Sequence, residues 1–503
     1  MKTLDAWIET HAQTGPGRRM LACGEKTWSY GRMARAVGAL TAFLQDEAGL
    51  EKGARIGWLG YNRAEFIMLV FAAARAGMIV VPLNWRLAAP EQAHILQDAG
   101  ARLLVAQPDP FGERAREIAP AGCRLMLLDG PSGDDAMAFS DALEAQGAGV
   151  ARGGPEDPLL LVYTSGTTGR PKGAVLTQDA ILFNALNAIH MHGMGADDVI
   201  LSVLPLFHVG GLNIQTMPAF LCGASVIVHE TFDPLRALMD IARWRASLTL
   251  HVPATLQAMM ALPEWRTADI STLRALATGS TIVPLPLIEA VQERGVSVIQ
   301  IYGATETGPV CIYQTPREAL SSTGSIGRQG LHSEIRLVDE AGREVAQGKS
   351  GEILVRGRHL ARGYWNDPEN PAFRDGWFHT GDMASRDENG LLWFRGRKKT
   401  MIISGGENIY PAEIEQALMR IPGVAACAVA GIPHDRWGET PAALIVPQEG
   451  ASLDARDIRA ALEGTLARYK LPGRIEFAPH LPRNAMGKVV LDEVRRILMV
   501  TPR

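Results

Sequence analysis

Arg55-Ile56-Gly57-Trp58-Leu59, a helix-like stretch over residues 63–76, and Met78-Ile79-Val80-Val81 together decide the fold. Two short apolar runs joined by a segment long enough for a helix read as strand, crossover and parallel strand, the βαβ unit, so the chain is α/β. The same strand texture returns in Leu159-Leu160-Leu161-Val162-Tyr163 and over residues 224–229 and 296–302, each run bounded by Gly or Pro. These are expected sheet cores. Beyond about residue 324 the texture changes to short strands with Gly punctuation, such as Gly351-Glu352-Ile353-Leu354-Val355 and Leu391-Leu392-Trp393-Phe394, which predicts a smaller β-rich subdomain. From residue 400 onward the pattern is a helix over 411–421 and a strand over 425–430. A helix over 454–470 follows, with Ile458, Leu462 and Leu466 at four-residue spacing. A separate, smaller α+β C-terminal domain is expected there.

Composition narrows the class of protein. With 503 residues, 47% of them hydrophobic, a large core over two to four domains is expected. Fifty Lys and Arg against 54 Asp and Glu give a net charge of −4, which excludes a polycationic nucleic-acid binder, so no nucleic-acid partner is expected. The five cysteines have no C-x-x-C pair and are widely spaced, so neither a disulfide framework nor a zinc ribbon is indicated. The first ten residues lack an apolar leader, and Arg75 breaks the most apolar stretch, residues 66–83. A soluble cytoplasmic protein without a transmembrane segment is expected.

The strongest chemical signal is Tyr163-Thr164-Ser165-Gly166-Thr167-Thr168-Gly169-Arg170-Pro171-Lys172-Gly173, directly after an expected strand. Glycines, hydroxyls and one lysine suit a loop whose N–H groups and hydroxyls wrap phosphate oxygens while Lys172 adds a mobile positive charge. It is not the Walker pattern, because Arg170 and Pro171 stand between the glycine and the lysine. An ordinary polar surface loop is the competing reading, and eleven consecutive residues of this composition weigh against it. Tyr302-Gly303-Ala304-Thr305-Glu306-Thr307-Gly308 follows the strand over 296–302, where an α/β sheet opens its ligand crevice. Tyr302 could stack on adenine, Thr305 could bond a phosphate and Glu306 could hold Mg²⁺.

With these and with Gly376-Trp377-Phe378-His379-Thr380-Gly381-Asp382, Gly396-Arg397-Lys398-Lys399, residues 404–411 and Pro482-Arg483-Asn484-Ala485-Met486-Gly487-Lys488, the chain resembles the AMP-forming adenylating enzymes over essentially its whole length. Its nearest likeness is the acyl-CoA synthetase branch, including bacterial fatty acyl-CoA and feruloyl-CoA synthetases. The resemblance implies ATP, Mg²⁺ and coenzyme A as co-substrates and cofactor, with Lys488, Glu306, Thr305 and Lys172 as the catalytic set. It places the nucleotide on Thr164, Ser165, Gly166, Thr167, Thr168, Gly169, Tyr302, Gly303, Asp382 and Arg397, and the metal on Glu306 and Thr164. Asp382 would accept from the ribose hydroxyls. Gly405 and Gly406 would face CoA. The acid would lie near His208, Gly210, Gly211, Asn213, Thr278, Gly279 and Ala304. Lys399 would be the hinge, dividing a large domain, 1–397, from a small mobile domain, 400–503, with 398–399 between.

The implied reaction is ATP-dependent ligation of a small fatty or aromatic, hydroxycinnamate-like carboxylic acid to CoA through an acyl-adenylate. Transfer to a carrier-protein thiol or another acceptor, and a silent nucleotide- or acyl-binding protein on the same fold, stand as alternatives. A homodimer is left open. Two departures from the family pattern stand out: hydroxyl residues in Thr278-Gly279-Ser280-Thr281, and Arg395 where many relatives carry an acid. No arginine falls at the positions assigned to the acid pocket, which speaks against a dicarboxylate.

Overall fold

The computed structural model describes residues 3–130, 133, 135–164, 171–280, 283–404, 407–434, 436–463, 465–484 and 487–500. Among these the strands form four sheets. The deciding passage folds as read: strand Arg55–Leu59, helix Ala64–Ala76 and strand Ile79–Pro82, the two strands paired in parallel. The helix is apolar almost all round and buried, and it stops at Gly77, whose φ of +71° a glycine adopts without a side-chain clash.

That βαβ unit is the centre of a seven-stranded sheet. Strand Lys172–Thr177 forms one edge of it, antiparallel to Pro158–Thr164, so Thr164 and Lys172 stand opposite each other across the mouth of a hairpin. A nine-stranded sheet packs beside it, with Leu248–His251, Ala275–Gly279 and Ser297–Tyr302 as parallel neighbours. One continuous apolar core joins the two. The far edge of the nine-stranded sheet comes from the chain's beginning: Arg19–Cys23 pairs in parallel with Ser225–Val228 and antiparallel with Lys26–Ser29.

The β-rich subdomain is a five-stranded sheet built from Glu334–Val338, Ser350–Arg356, Phe373–Arg374, Trp377–Arg386 and Leu392–Arg397. A short 3₁₀ turn, Lys398–Thr400, leads out of it. The last unit has its own apolar core, in which Ile414 and Leu418 of helix Pro411–Leu418 meet Val429, Ala443 and Ile445 of the long hairpin Val424–His434/Gly438–Pro447. One expectation is corrected here. The helix foreseen over 454–470 is described only as Ala455–Glu463, followed by a separate 3₁₀ turn, Arg468–Lys470. Ile458 and Leu462 are buried, but Gly464 is a poor helix former and the Thr465 hydroxyl bonds back to the Ala461 carbonyl at 3.2 Å, closing the turn.

Candidate active site

The crevice lies where the carboxyl ends of the nine-stranded sheet meet the hairpin of the seven-stranded one and the β-rich subdomain. Strand Ser297–Tyr302 ends there, and the 3₁₀ turn Thr305–Thr307 follows, tied by the Thr307 hydroxyl to the Ala304 backbone at 2.8 Å. Gly303 is required by packing, since a Cβ there would stand 1.7 Å from the Pro309 carbonyl. Glu306 is thereby turned inward, 8% exposed. Its backbone carbonyl accepts from Ala361 N–H at 2.8 Å, and its Oε1 accepts from the Tyr364 hydroxyl at 2.7 Å.

Tyr364 belongs to a segment that runs along the hairpin edge: Val175 N–H bonds to Gly363 O at 3.0 Å and Trp365 N–H to Gly173 O at 2.7 Å. Lys172, at the start of that edge strand, lies with its ammonium 5.4 Å from the Tyr364 ring centroid and 3.0 Å from Asp367 Oδ2. The segment is clamped from the other side by Asp98, which accepts from Tyr163 (2.5 Å), from the Trp365 indole (3.2 Å) and from Asn366 (3.1 Å). Tyr364, Asp367 and Asp98 are neighbours of Glu306, Lys172 and Tyr163 that no sequence motif pointed to.

A second pair of groups sits on the β-rich subdomain. Asp382, 7% exposed, accepts from the Tyr302 hydroxyl at 2.8 Å through Oδ2, so Tyr302 anchors a carboxylate rather than standing free. Oδ1 faces Arg397 Nε at 3.1 Å, but without the alignment of a hydrogen bond, and is otherwise unpartnered among the described residues. Burial raises the Asp382 pKa above the usual carboxylate range, while Arg397, Tyr302 and Lys488 pull it back. The Arg397 ion pair leaves Oδ1 without an aligned hydrogen bond, which a ribose hydroxyl would supply.

Lys488 arrives from the C-terminal unit. Its turn is held by Lys488 N–H to Asn484 Oδ1 at 3.0 Å and Asn484 N–H to Lys488 O at 2.9 Å. The side chain is open to solvent at the crevice mouth, yet enclosed enough that burial lowers its pKa. Arg397 lowers it further, and Glu306 and Asp382 raise it. Residues from three parts of the chain, 306, 382–397 and 488, therefore share one electrostatic environment. Ser350 Oγ also meets the Tyr410 hydroxyl across the same junction at 3.2 Å.

His208 borders the other side of the crevice. Burial first, then Lys488 and Arg86, push its pKa down to about 4, which leaves the ring neutral at physiological pH. Arg86, stacked over Trp85 at 4.8 Å, is a cation near His208 that no sequence motif pointed to. Asn62 fixes the loop: its amide donates to Leu204 O at 3.0 Å and His229 O at 2.9 Å and accepts from Leu206 N–H at 2.8 Å. Asn213 and Thr278 are fully buried, and Asn213 Oδ1 and Thr278 Oγ1 have no partner among the described residues. Asn213 lies in a π-turn, Leu212–Thr216, a distortion frequent near sites.

The small residues divide into two kinds. A Cβ on Gly211 would come 2.3 Å from Pro205 O and one on Gly279 2.5 Å from Ile301 O, so their size serves backbone packing. Only open space meets a Cβ on Gly210. Thr164 caps the hairpin strand and Thr305 opens the 3₁₀ turn beside Glu306. Lys399 is exposed in the turn leaving the β-rich subdomain, and Ala304, just before the 3₁₀ turn Thr305–Thr307, is half-buried. Ser165, Gly166, Thr167, Thr168, Gly169, Gly405 and Gly406 lie outside the described residues.

As to metal, the described residues contain no group of three or more His, Cys, Asp or Glu side chains suited to hold an ion. The buried carboxylate of Glu306, held by Tyr364, is a donor of the kind Mg²⁺ uses, since that ion takes one or two carboxylates and draws its remaining ligands from phosphate and water. The five cysteines are unpaired, and burial raises the thiol of each, Cys311 to about 12, so none is primed as a thiolate. No described helix is long and apolar enough to cross a membrane.

A chain with these sheets and these polar groups at their junction has known counterparts. The chain belongs to the AMP-binding enzyme family: the model of that enzyme matches residues 8–365, and that of its C-terminal domain residues 413–488. It is 46% identical over 506 residues to an indoleacetate–CoA ligase of Aromatoleum aromaticum, covering 98% of both chains. It is 39% identical over 496 residues to a feruloyl-CoA synthase of an Amycolatopsis species, again over 98% of both. Among solved structures it matches an anthranilate CoA ligase in complex with anthranoyl-AMP, with a TM-score of 0.91 and 27% identity over 99% of this chain and 97% of the other.

Proposed function

We propose that this chain is an ATP-dependent carboxylic acid:CoA ligase of the AMP-forming kind that acts on an aromatic acid, an arylacetate or hydroxycinnamate. The observation that carries the reaction is the convergence of Glu306, Asp382, Arg397 and Lys488 on one crevice. The aromatic preference is supported by identity to two ligases of aryl-bearing acids over nearly their full length.

In the first step a carboxylate oxygen of the acid attacks the α-phosphorus of ATP, and the bond to the β-phosphate oxygen breaks, giving acyl-AMP and pyrophosphate. Lys172 and the loop after Thr164 hold the β and γ phosphates. Asp382 holds the ribose, with Arg397 beside it. Glu306 and Thr164 would hold Mg²⁺, which when bound would neutralise charge on the phosphate chain, and Thr305 would bond a phosphate oxygen. Lys488 stabilises the negative charge that builds around the α-phosphorus. In the second step the CoA thiolate attacks the acyl carbon and AMP leaves with its electron pair. No protein nucleophile is needed, consistent with five cysteines whose thiols are raised rather than activated.

Neutral His208 lines the acid side, with Gly210 leaving room and the unpartnered oxygens of Asn213 and Thr278 available to orient a polar substituent. Lys399 serves as the pivot between steps, where the small domain, 400–503, turns and Gly405 and Gly406 meet CoA. Free buried thiols and these substrates suit a cytoplasmic setting.

The test is pyrophosphate release from Mg-ATP across aryl, fatty and dicarboxylic acids, with and without CoA. Release driven by an arylacetate or hydroxycinnamate, with AMP and acyl-CoA formed only when CoA is present, is the expected outcome. Release by no acid sinks the ligase reading. Acyl-AMP that never passes to CoA points to a different acceptor.

A further inference from the structure

Among the described residues the Lys172 ammonium pairs with Asp367, 3.0 Å away, and lies beside the Tyr364 ring. Asp367 stands 195 residues further along the chain and is not placed there by chance packing. Its own Oδ2 accepts from Asn370 Nδ2 at 2.6 Å, its N–H bonds to Tyr364 O at 3.2 Å, and the preceding Asn366 takes a φ of +58° to make the bend. The carboxylate is thus fixed and the lysine is the mobile partner. With side chains 29% and 43% exposed, the pair is of the weak, exchangeable kind.

Resting on the ligase reading, we propose that Asp367 is a positioning residue that parks Lys172 between turnovers and competes with the phosphate chain for it. In this way Asp367 sets how tightly ATP enters and how readily pyrophosphate leaves. A lysine bound only by phosphate would hold the product as firmly as the substrate. A fixed carboxylate at hydrogen-bond distance lowers both affinities by offering the ammonium another partner and by repelling the incoming anion. The geometry also explains why Lys172 keeps its place while changing partners: the Tyr364 face lies under its ammonium in the parked position. The same tyrosine holds Glu306, so the cation that meets the phosphates and the carboxylate that holds the metal share one support.

The experiment compares wild type, Asp367→Asn and Asp367→Glu, each alone and with Lys172→Ala, by calorimetric binding of Mg-pyrophosphate and Mg-ATP and by steady-state kinetics. Asn keeps an oxygen for Asn370, so the bend survives, and Glu keeps the charge. The expected result is about three- to ten-fold tighter binding of both ligands in Asp367→Asn, as the loss of a half-exposed pair and one repulsive charge implies. KM for ATP falls by the same factor while kcat does not rise, Asp367→Glu stays near wild type, and in the Lys172→Ala background the gain shrinks to the smaller part that charge repulsion alone supplies. Unchanged or weaker binding in Asp367→Asn overturns the proposal, and so does the same gain without Lys172. A wild type that forms acyl-CoA from no acid sinks the ligase reading, while the calorimetric comparison still decides the role of Asp367. A wild type that binds neither ligand overturns both.

Discussion

The two carboxylates of the crevice and its C-terminal cation are held in opposite ways. Glu306 and Asp382 are buried, each fixed by a tyrosine hydroxyl, and Glu306 is further tied through its own backbone to Ala361. Lys488 is open to solvent on a turn whose recorded hydrogen bonds run within residues 483–488, and it reaches the crevice from a unit with a core of its own. The contrast teaches where pre-organisation resides. On the proposed reading, the groups that would receive nucleotide and metal are held by buried contacts of their own, and the group that would meet the developing charge reaches them from the C-terminal unit.

The sharpest way to break this comparison is Lys488→Ala. Pyrophosphate release should fall on the order of 10²–10³-fold, with KM for ATP little changed, because the lost interaction belongs to the transition state. An equal rise in KM would put Lys488 among the ground-state binders. Asp382→Asn should act the other way, raising KM for ATP about 10- to 100-fold, the worth of charge-assisted hydrogen bonds, with a smaller change in kcat. Tyr364→Phe should cost about 3- to 10-fold in kcat/KM and raise the Mg²⁺ concentration needed for half activity, since Glu306 loses its donor. The alkaline limb of the pH–rate profile should fall below the ~10.4 of an ordinary lysine, because Lys488 must be protonated and its pKa is lowered. A limb at or above that value would mean the crevice is more open than it is drawn.

The smallest effect concerns stability of the C-terminal unit. Glu415 accepts from Val429 N–H at 2.9 Å, and burial raises its pKa from 4.5 to about 7. A raised folded pKa favours the protonated form. The stability it contributes is full below about 4.5 and lost as pH rises through about 7. Glu415→Gln, which keeps the acceptor, should flatten that loss and add ~1–3 kcal/mol at pH 7.5, read as a higher Tm for this unit. Unchanged pH dependence of the melt would show that Glu415 ionises without cost.

Much of the crevice was legible because its residues lie in short runs with their chemistry attached: Thr164 to Lys172 after a strand, and Tyr302 to Glu306 at a strand end. What escaped were partners made by folding alone. Asp98, Tyr364 and Asp367 sit in segments whose local pattern is that of ordinary helix and loop; the pairing of residues 362–365 with the hairpin edge brings Tyr364 and Asp367 to Lys172, and Asp98 meets Tyr163 and Trp365 instead. Arg86 escaped because nothing in its neighbourhood points toward His208. The glycines were seen as small, but whether smallness serves a ligand or a neighbouring backbone depends on atoms far along the chain, as with Gly279 under Ile301. The helix over 454–470 was overextended because a four-residue apolar spacing continues to Leu466 past Gly464.

One feature of the sheets bears on how the protein comes into being. Strand Arg19–Cys23 leaves the ribosome early, yet its parallel neighbour Ser225–Val228 is made some two hundred residues later. Until then one edge of that apolar strand waits without its partner, while the seven-stranded sheet, whose members all lie before residue 178, can already be complete. The nine-stranded sheet is therefore the late and exposed step of synthesis. Slowing translation between residues 30 and 225 would lengthen that exposure without altering a single native contact.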